Sequence, residues 1–337
     1  MVNSKSYLNS AKLIALLSAV GFTVEAYDFF AVGIISTQIW PHLFDGSSSS
    51  ALALSVLAYS TILVGRPAGG VMFGHLSDKL GRKWSMFWTL TLSGFAMLMI
   101  AIMPPIGIIG LEAIAAFRFI QGFGLGGDGG SSWTLTYEYS RRFDKAPIFL
   151  AGLLSTASLG ILLGVLGIFL SESLETRIFL TDYGWRILIG LGAVAFALTI
   201  FFRYKVMESP DFTKLTEARE LTTSPIREAI HKARRKLVFL TLIATYYPTV
   251  LTFAVYPFAV EYYSKVVGEK VVTLTFMGFA LLAILFTLAG GALTTLIGWR
   301  GVLFLSILGS VVTLPLLLIH SLTGFIVFPV ASIGWGP

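Results

Sequence analysis

Gly74-His75-Leu76-Ser77-Asp78-Lys79-Leu80-Gly81-Arg82-Lys83 confines its charge to one short turn between two long apolar runs. Its glycines permit a tight turn and close helix approach. Asp78, Lys79, Arg82 and Lys83 can then cluster where the chain leaves one helix and enters the next. The spacing returns at Gly291-Ala292-Leu293-Thr294-Thr295-Leu296-Ile297-Gly298-Trp299-Arg300, offset by 217 residues. Both glycines and the leucine are kept, while Thr295 replaces Asp78 and Trp299 replaces Arg82. The second copy thus preserves the turn and loses most of the charge. This internal repeat predicts two six-helix units in parallel orientation.

The rest of the chain agrees with a membrane setting. Of its 337 residues 55% are hydrophobic and 12% charged, with a mean hydropathy of +0.82. Soluble domains carry about 25% charged residues. This balance excludes a soluble enzyme, a nucleic-acid-binding domain and a disordered chain. The absence of cysteine excludes disulfides, thiolate metal sites and thiol catalysis. Asn3, Asn9, Gln38 and Gln121 are the only side-chain amides, a depletion that points to a hot host.

A helix needs roughly 17–25 apolar residues to cross a bilayer. Such runs are predicted at 12–40, 51–73, 84–103, 107–137, 147–170, 185–204, 237–262, 271–297 and 300–320, with a further one beginning near Leu322. The expected fold is therefore all-α and polytopic, with 9–10 transmembrane helices. The first run is too long for a cleavable signal and carries Glu25 and Asp28, so it reads as a helix.

Basic residues divide sharply between the two sides. One side carries 18, from Lys5 and Lys12 through the 79–83, 141–145 and 203–236 segments to Arg300, and the other only Arg177, Lys265 and Lys270. By the positive-inside rule the rich side and the N-terminus are cytoplasmic, in the cell membrane. The predicted organisation is an N-terminal six-helix bundle over 1–204, a cytoplasmic linker over 205–236 and a partial C-terminal bundle over 237–337. The linker's basic stretch from His231 to Lys236 reads as a surface-lying connector, or as a site for anionic lipid. Two repeats of equal length would run well past Pro337, so the chain is expected to lack most of helix 10 and all of helices 11 and 12.

The first loop fits the pattern G-x-L-x-D-[RK]-x-G-[RK]-[RK] at seven specified positions. From average residue usage a chance match is about one in 10⁵. On these residues the chain resembles the major facilitator superfamily. Val24-Glu25-Ala26-Tyr27-Asp28-Phe29-Phe30, Gly65-Arg66-Pro67-Ala68-Gly69-Gly70, Arg118-Phe119-Ile120-Gln121-Gly122 and Glu208-Ser209-Pro210 resemble its metabolite:proton symporter branch. Gly126-Gly127-Asp128 and Trp185-Arg186-Ile187-Leu188-Ile189-Gly190 look more like its phosphate:proton symporters, and Gly334-Trp335-Gly336-Pro337 resembles a motif that opens helix 10 in sugar and phosphate carriers. The resemblance implies two bundles that latch at the helix 2–3 loop and alternate in access.

Charged side chains inside apolar helices cost about 2.5–3.5 kcal/mol each on insertion scales and usually face a cavity or a partner. Glu25 and Asp28, three apart, lie near one face of helix 1. Asp28 is deep enough for desolvation to compete with a nearby guanidinium, which suits a proton carrier. Glu25 and Asp128 are further proton-coupling candidates, Asp128 alternatively as a gate. Arg118, near the midplane, offers a fork of donors to a carboxylate or phosphate, to Asp28, or to each in turn. Gln121, one turn on, and Tyr27 join it as substrate-binding candidates. Arg66 is expected to snorkel or to join the loop cluster of Gly74, Asp78, Lys79, Gly81, Arg82 and Lys83, which would gate.

Gly124 to Gly129 formally match G-x-G-x-x-G, but inside an apolar helix the match lacks the strand that a dinucleotide site requires. Gly122, Gly126 and Gly130, like Gly160 and Gly164, instead read as ladders of small residues for close helix packing. His42, His75, His231 and His320 are dispersed, so no metal, cofactor or catalytic group is expected. The reading is a non-enzymatic, proton-coupled secondary transporter of a small anionic metabolite such as an organic acid. Its expected partners are that substrate, protons and the lipid bilayer, with no nucleic acid and no obligate protein partner. The alternatives are a phosphate:proton symporter, or a non-transporting truncated remnant acting as a membrane scaffold.

Overall fold

The computed structural model describes residues 4–44, 49–141, 146–173, 183–203, 210–217 and 268–313. Among these residues every regular element is a helix. We number them α1 (Ser4–Gln38), α2 (Trp40–Phe44), α3 (Ser49–Leu80), α4 (Arg82–Ala101), α5 (Gly107–Ser140), α6 (Ala146–Ser173), α7 (Trp185–Arg203), α8 (Pro210–Glu217) and α9 (Glu269–Thr313). Seven are long and apolar enough to cross a membrane, namely α1, α3 to α7 and α9. The expected run at 237–262, the start of the tenth and most of the 205–236 linker lie outside the described residues. The short helix α8 is what the structure describes of that linker.

Several boundaries differ from the hydropathy reading. The helix after the first loop starts at Arg82, and α3 continues to Leu80 rather than ending near residue 73. The motif from Gly74 to Leu80 is thus helical, and the turn is the single residue Gly81, with φ 106° and ψ 155°. The runs at 271–297 and 300–320 part where expected: α9 holds two helices that meet at Gly298, whose φ of 75° and ψ of 163° are not helical, and the second is described as far as Thr313. Such a backbone is essentially restricted to glycine. Both copies of the repeat therefore turn at the same glycine.

The helices alternate in direction. At one end Ile14 and Leu17 of α1, Met86 of α4, and Leu135 and Tyr139 of α5 form a buried cluster with Phe149 of α6 against it. The chain ends gathered there are those that carry Lys12, Lys79, Lys83 and Arg141. At the other end Trp40 meets Trp185 edge to face at 6.3 Å, within a core that also holds Ile39, Ile100 and Leu111. Arg186 stacks on Trp185 and donates to the carbonyls of Ala101 and Met103, closing the C-terminus of α4.

The closest packing is between α3 and α5, with α1 lying along α6, α4 on α5 and α7, and α9 on α6. A side chain at Gly65, Gly69, Gly122 or Gly126 would collide with the backbone of the facing helix. The ladder is shorter than the spacing suggested: Gly130 meets nothing within 4 Å. Gly74, expected to serve close approach, also has open space beside it, whereas its repeat mate Gly291 abuts Ala151 and Pro147 of α6. Large apolar side chains such as Leu57, Val64, Phe95, Leu191 and Phe201 point outward. That distribution suits a chain whose solvent is hydrocarbon.

Candidate functional site

Three helices bring six polar side chains into the apolar interior. Helix α1 supplies Glu25 and Asp28, α3 supplies Arg66, and α5 supplies Arg118, Gln121 and Asp128. The absence of side chains at Gly122 and Gly126 lets α5 reach the backbone of Ile62 and Arg66 on α3. That contact sets the rotation of α5, and with it the direction of Arg118.

Arg118 and Gln121 are fully buried and Asp28 is 1% exposed. Arg118 Nη1 donates to Asp28 Oδ2 at 2.7 Å and to Gln121 Oε1 at 2.7 Å. Gln121 Nε2 donates to the same Asp28 oxygen at 2.9 Å, closing a three-membered ring of contacts. The Tyr59 ring lies 5.2 Å from Arg118 Cζ, a cation–π contact. Its hydroxyl donates to the Phe29 carbonyl at 3.1 Å. Only one nitrogen of the guanidinium is used in these hydrogen bonds: Nε and Nη2 are buried without a hydrogen-bond partner, as is Asp28 Oδ1. A planar edge of donors is therefore buried without a hydrogen-bond partner, and its geometry matches two oxygens of a carboxylate or phosphate.

Glu25 lies one turn earlier and takes a different partner. Its Oε1 accepts from Arg66 Nη2, and its Oε2 is buried and unpartnered. This corrects the expected placement of Arg66, which neither snorkels free nor joins the loop cluster. Glu25 and Asp28 share a helix face yet serve separate guanidiniums. Asp128 is 3% exposed and accepts from Ser132 Oγ at 3.2 Å. Tyr27 donates its hydroxyl to the Leu188 carbonyl of α7 at 2.9 Å.

At the base-rich end Arg82 Nη1 donates to Asp78 Oδ1 at 2.6 Å and to the Ser77 carbonyl at 3.1 Å, while Nη2 reaches Glu138 Oε1 at 3.5 Å. The loop motif is thereby tied to the last turns of α5. Sequence reasoning missed Glu138, an acid shortly before the Arg141-Arg142 pair, and that proximity was the available signal. It also missed Tyr59, which nothing in an apolar run distinguishes from a packing aromatic. Among the described residues no group of three or more His, Asp or Glu side chains is placed to hold a metal ion.

A polytopic helical chain with ion pairs inside its apolar interior is a membrane protein. The chain belongs to the Major Facilitator Superfamily, whose family model matches residues 16–337. It is 31% identical over 250 residues to the inner membrane metabolite transport protein YhjE of Escherichia coli, covering 71% of this chain and 56% of that protein. It is also 31% identical over 270 residues to the shikimate transporter of Escherichia coli, covering 77% of this chain and 61% of that one. The chain thus spans less than two thirds of the length of these relatives. Among solved structures it is similar to the partially occluded inward-open xylose transporter XylE of Escherichia coli. There the TM-score is 0.72 at 16% identity, over 96% of this chain and 84% of that one, a likeness of fold. These relatives are transporters and not enzymes.

Proposed function

We propose that this protein is a secondary active transporter that carries a small anionic metabolite together with a proton by alternating access. The observation that supports the anion is the buried, unpartnered Nε–Nη2 edge of Arg118. Three N–H donors left unpaired in a dry interior are costly, and an oxyanion satisfies them in the plane they already define. Family membership and relatives named as metabolite and shikimate transporters support transport of a small molecule of this kind.

The coupling follows from Arg118 having two claims on it. With no substrate it neutralises Asp28. An anion on its unpartnered edge draws the guanidinium away, and Asp28, left as a lone carboxylate in an apolar setting, takes up a proton. Release of the anion restores the ion pair and expels the proton. Gln121, already bonded to both groups, follows the exchange, and Tyr27 holds α1 against α7 beside the substrate space. The Asp78–Arg82–Glu138 tie, with Lys79 and Lys83 alongside and Gly74 and Gly81 shaping the loop, closes the base-rich end. We place that end and the N-terminus in the cytoplasm and assign 1–204 and 237–337 to two bundles joined by 205–236.

Binding of dicarboxylates, phosphate, betaines and neutral sugars to the purified protein tests this reading. A carboxylate as best ligand supports the organic-acid assignment. Phosphate as best ligand favours the phosphate:proton reading, to which Asp128 in its glycine-rich surroundings also points. A neutral or cationic best ligand overturns the anion assignment, and no binding at all favours a non-transporting scaffold.

A further inference from the structure

The pair between Arg118 and Asp28 has one prong where its chemistry allows two. A guanidinium and a carboxylate in dry surroundings favour two parallel hydrogen bonds. Here Nη1 alone reaches Asp28, through Oδ2 at 2.7 Å. Asp28 Oδ1 and Arg118 Nη2 and Nε are all buried without a hydrogen-bond partner. A second prong would give Oδ1 a donor and the guanidinium another acceptor. Something outside the pair holds the two apart.

Gln121 does not suffice, because its Oε1 accepts from the same Nη1 at 2.7 Å and leaves the guanidinium free to swing about that nitrogen. The Tyr59 ring of α3 supplies the second hold. Arg118 Cζ lies over it, 5.2 Å from the centroid, where the quadrupole of the ring attracts a cation. Tyr59 is itself tethered. It is 3% exposed, its hydroxyl donates to the Phe29 carbonyl at 3.1 Å, and its ring meets that of Phe29 at 5.6 Å. Phe29 follows Asp28 directly, so the tether ends on the turn of α1 that carries the carboxylate. Gly33, one turn further on, leaves room for it: a Cβ there would stand 3.3 Å from the hydroxyl.

We infer that Tyr59 is a positioning residue, whose tethered ring keeps Arg118 from closing a second hydrogen bond with Asp28 and so holds the Nε–Nη2 edge for an incoming oxyanion. The inference rests on the anion-binding reading for its purpose. It assigns α3 a part in a site whose hydrogen-bonding groups come from α1 and α5.

Succinate and inorganic phosphate, titrated into the purified full chain, are the probes. Tyr59→Leu removes ring and tether, and affinity should fall by about tenfold or more, the worth of one charge-assisted hydrogen bond gained by Asp28. Adding Asp28→Asn removes the carboxylate that captures Arg118 and should recover most of that loss. Simple damage to helix packing would not be recovered this way. Tyr59→Phe keeps the ring and loses the tether, so its affinity should lie between those of Tyr59→Leu and the unsubstituted chain. In a substrate-free structure of Tyr59→Leu, Arg118 Nη2 or Nε should lie within hydrogen-bond distance of Asp28 Oδ1. An unchanged affinity in either variant, a loss that Asp28→Asn leaves in place, or an unmoved guanidinium overturns the inference. If Tyr59→Leu does not fold, Tyr59→Phe with and without Asp28→Asn carries the same comparison. If the unsubstituted chain binds neither probe, the anion reading fails, and the substrate-free structure still decides the role of Tyr59.

Discussion

Gly81 and Gly298 lie 217 residues apart and hold nearly the same backbone conformation, φ 106° and ψ 155° in one and φ 75° and ψ 163° in the other. The repeat is therefore conserved in the one property that a side chain would destroy. The charge around the two glycines differs, since the first turn keeps the Arg82–Asp78 pair and the second has Trp299 and Thr295.

Gly81→Ala and Gly298→Ala should each destabilise the protein by about 1–3 kcal/mol, the usual strain of a non-glycine residue in this region. Thermal unfolding in detergent micelles checks this. Gly74→Ala, whose position is helical with open space around it, should be neutral or slightly stabilising by the same measure.

A bulkier residue at the α3–α5 contact should act on the site at a distance. Gly126→Val places a branched side chain against the Arg66 carbonyl and forces the two helices apart. Overpacking of this kind typically costs about 1–3 kcal/mol. It should also weaken ligand binding, because the rotation of α5 aims Arg118. Gly130→Val, where no neighbour stands, should leave both unfolding temperature and binding unchanged.

Breaking the buried pair should be more severe than removing it. Arg118→Gln leaves Asp28 without its cation, and such losses run to about 3–5 kcal/mol. The double change Arg118→Gln with Asp28→Asn should recover much of that stability. If Arg118 also grips the substrate, the double variant folds well and still fails to bind, a split that parallel unfolding and binding measurements resolve. Arg118→Lys keeps the charge but loses the planar fork, and its binding should fall markedly.

Asp28→Asn alone should abolish accumulation of substrate driven by a proton gradient while leaving substrate exchange across the membrane. Uptake and counterflow in proteoliposomes separate the two. Accumulation that persists would remove Asp28 from the coupling step.

Orientation is open to direct test because the chain has no cysteine of its own. A cysteine at the exposed Lys79 should react with impermeant thiol reagents only from the inner face, and one at the exposed Ile106 only from outside. The reverse pattern would invert the topology.

The sequence by itself determined the class of fold, the six described spans of the first half and a glycine turn in each copy of the repeat. Those properties are local. A span must be apolar along its whole length, and a positive φ demands glycine whatever surrounds it. The list of buried charges was legible for the same reason, since Glu25, Asp28, Arg118 and Asp128 each interrupt an apolar run. Their pairing was not. Which carboxylate a guanidinium meets depends on how each helix is rotated about its own axis, and here that rotation is fixed by glycines on α3 and α5 packing against one another's backbone. Only the tertiary structure could move Arg66 from the loop cluster to Glu25, add Glu138 to Arg82, and leave one buried edge of Arg118 unpartnered.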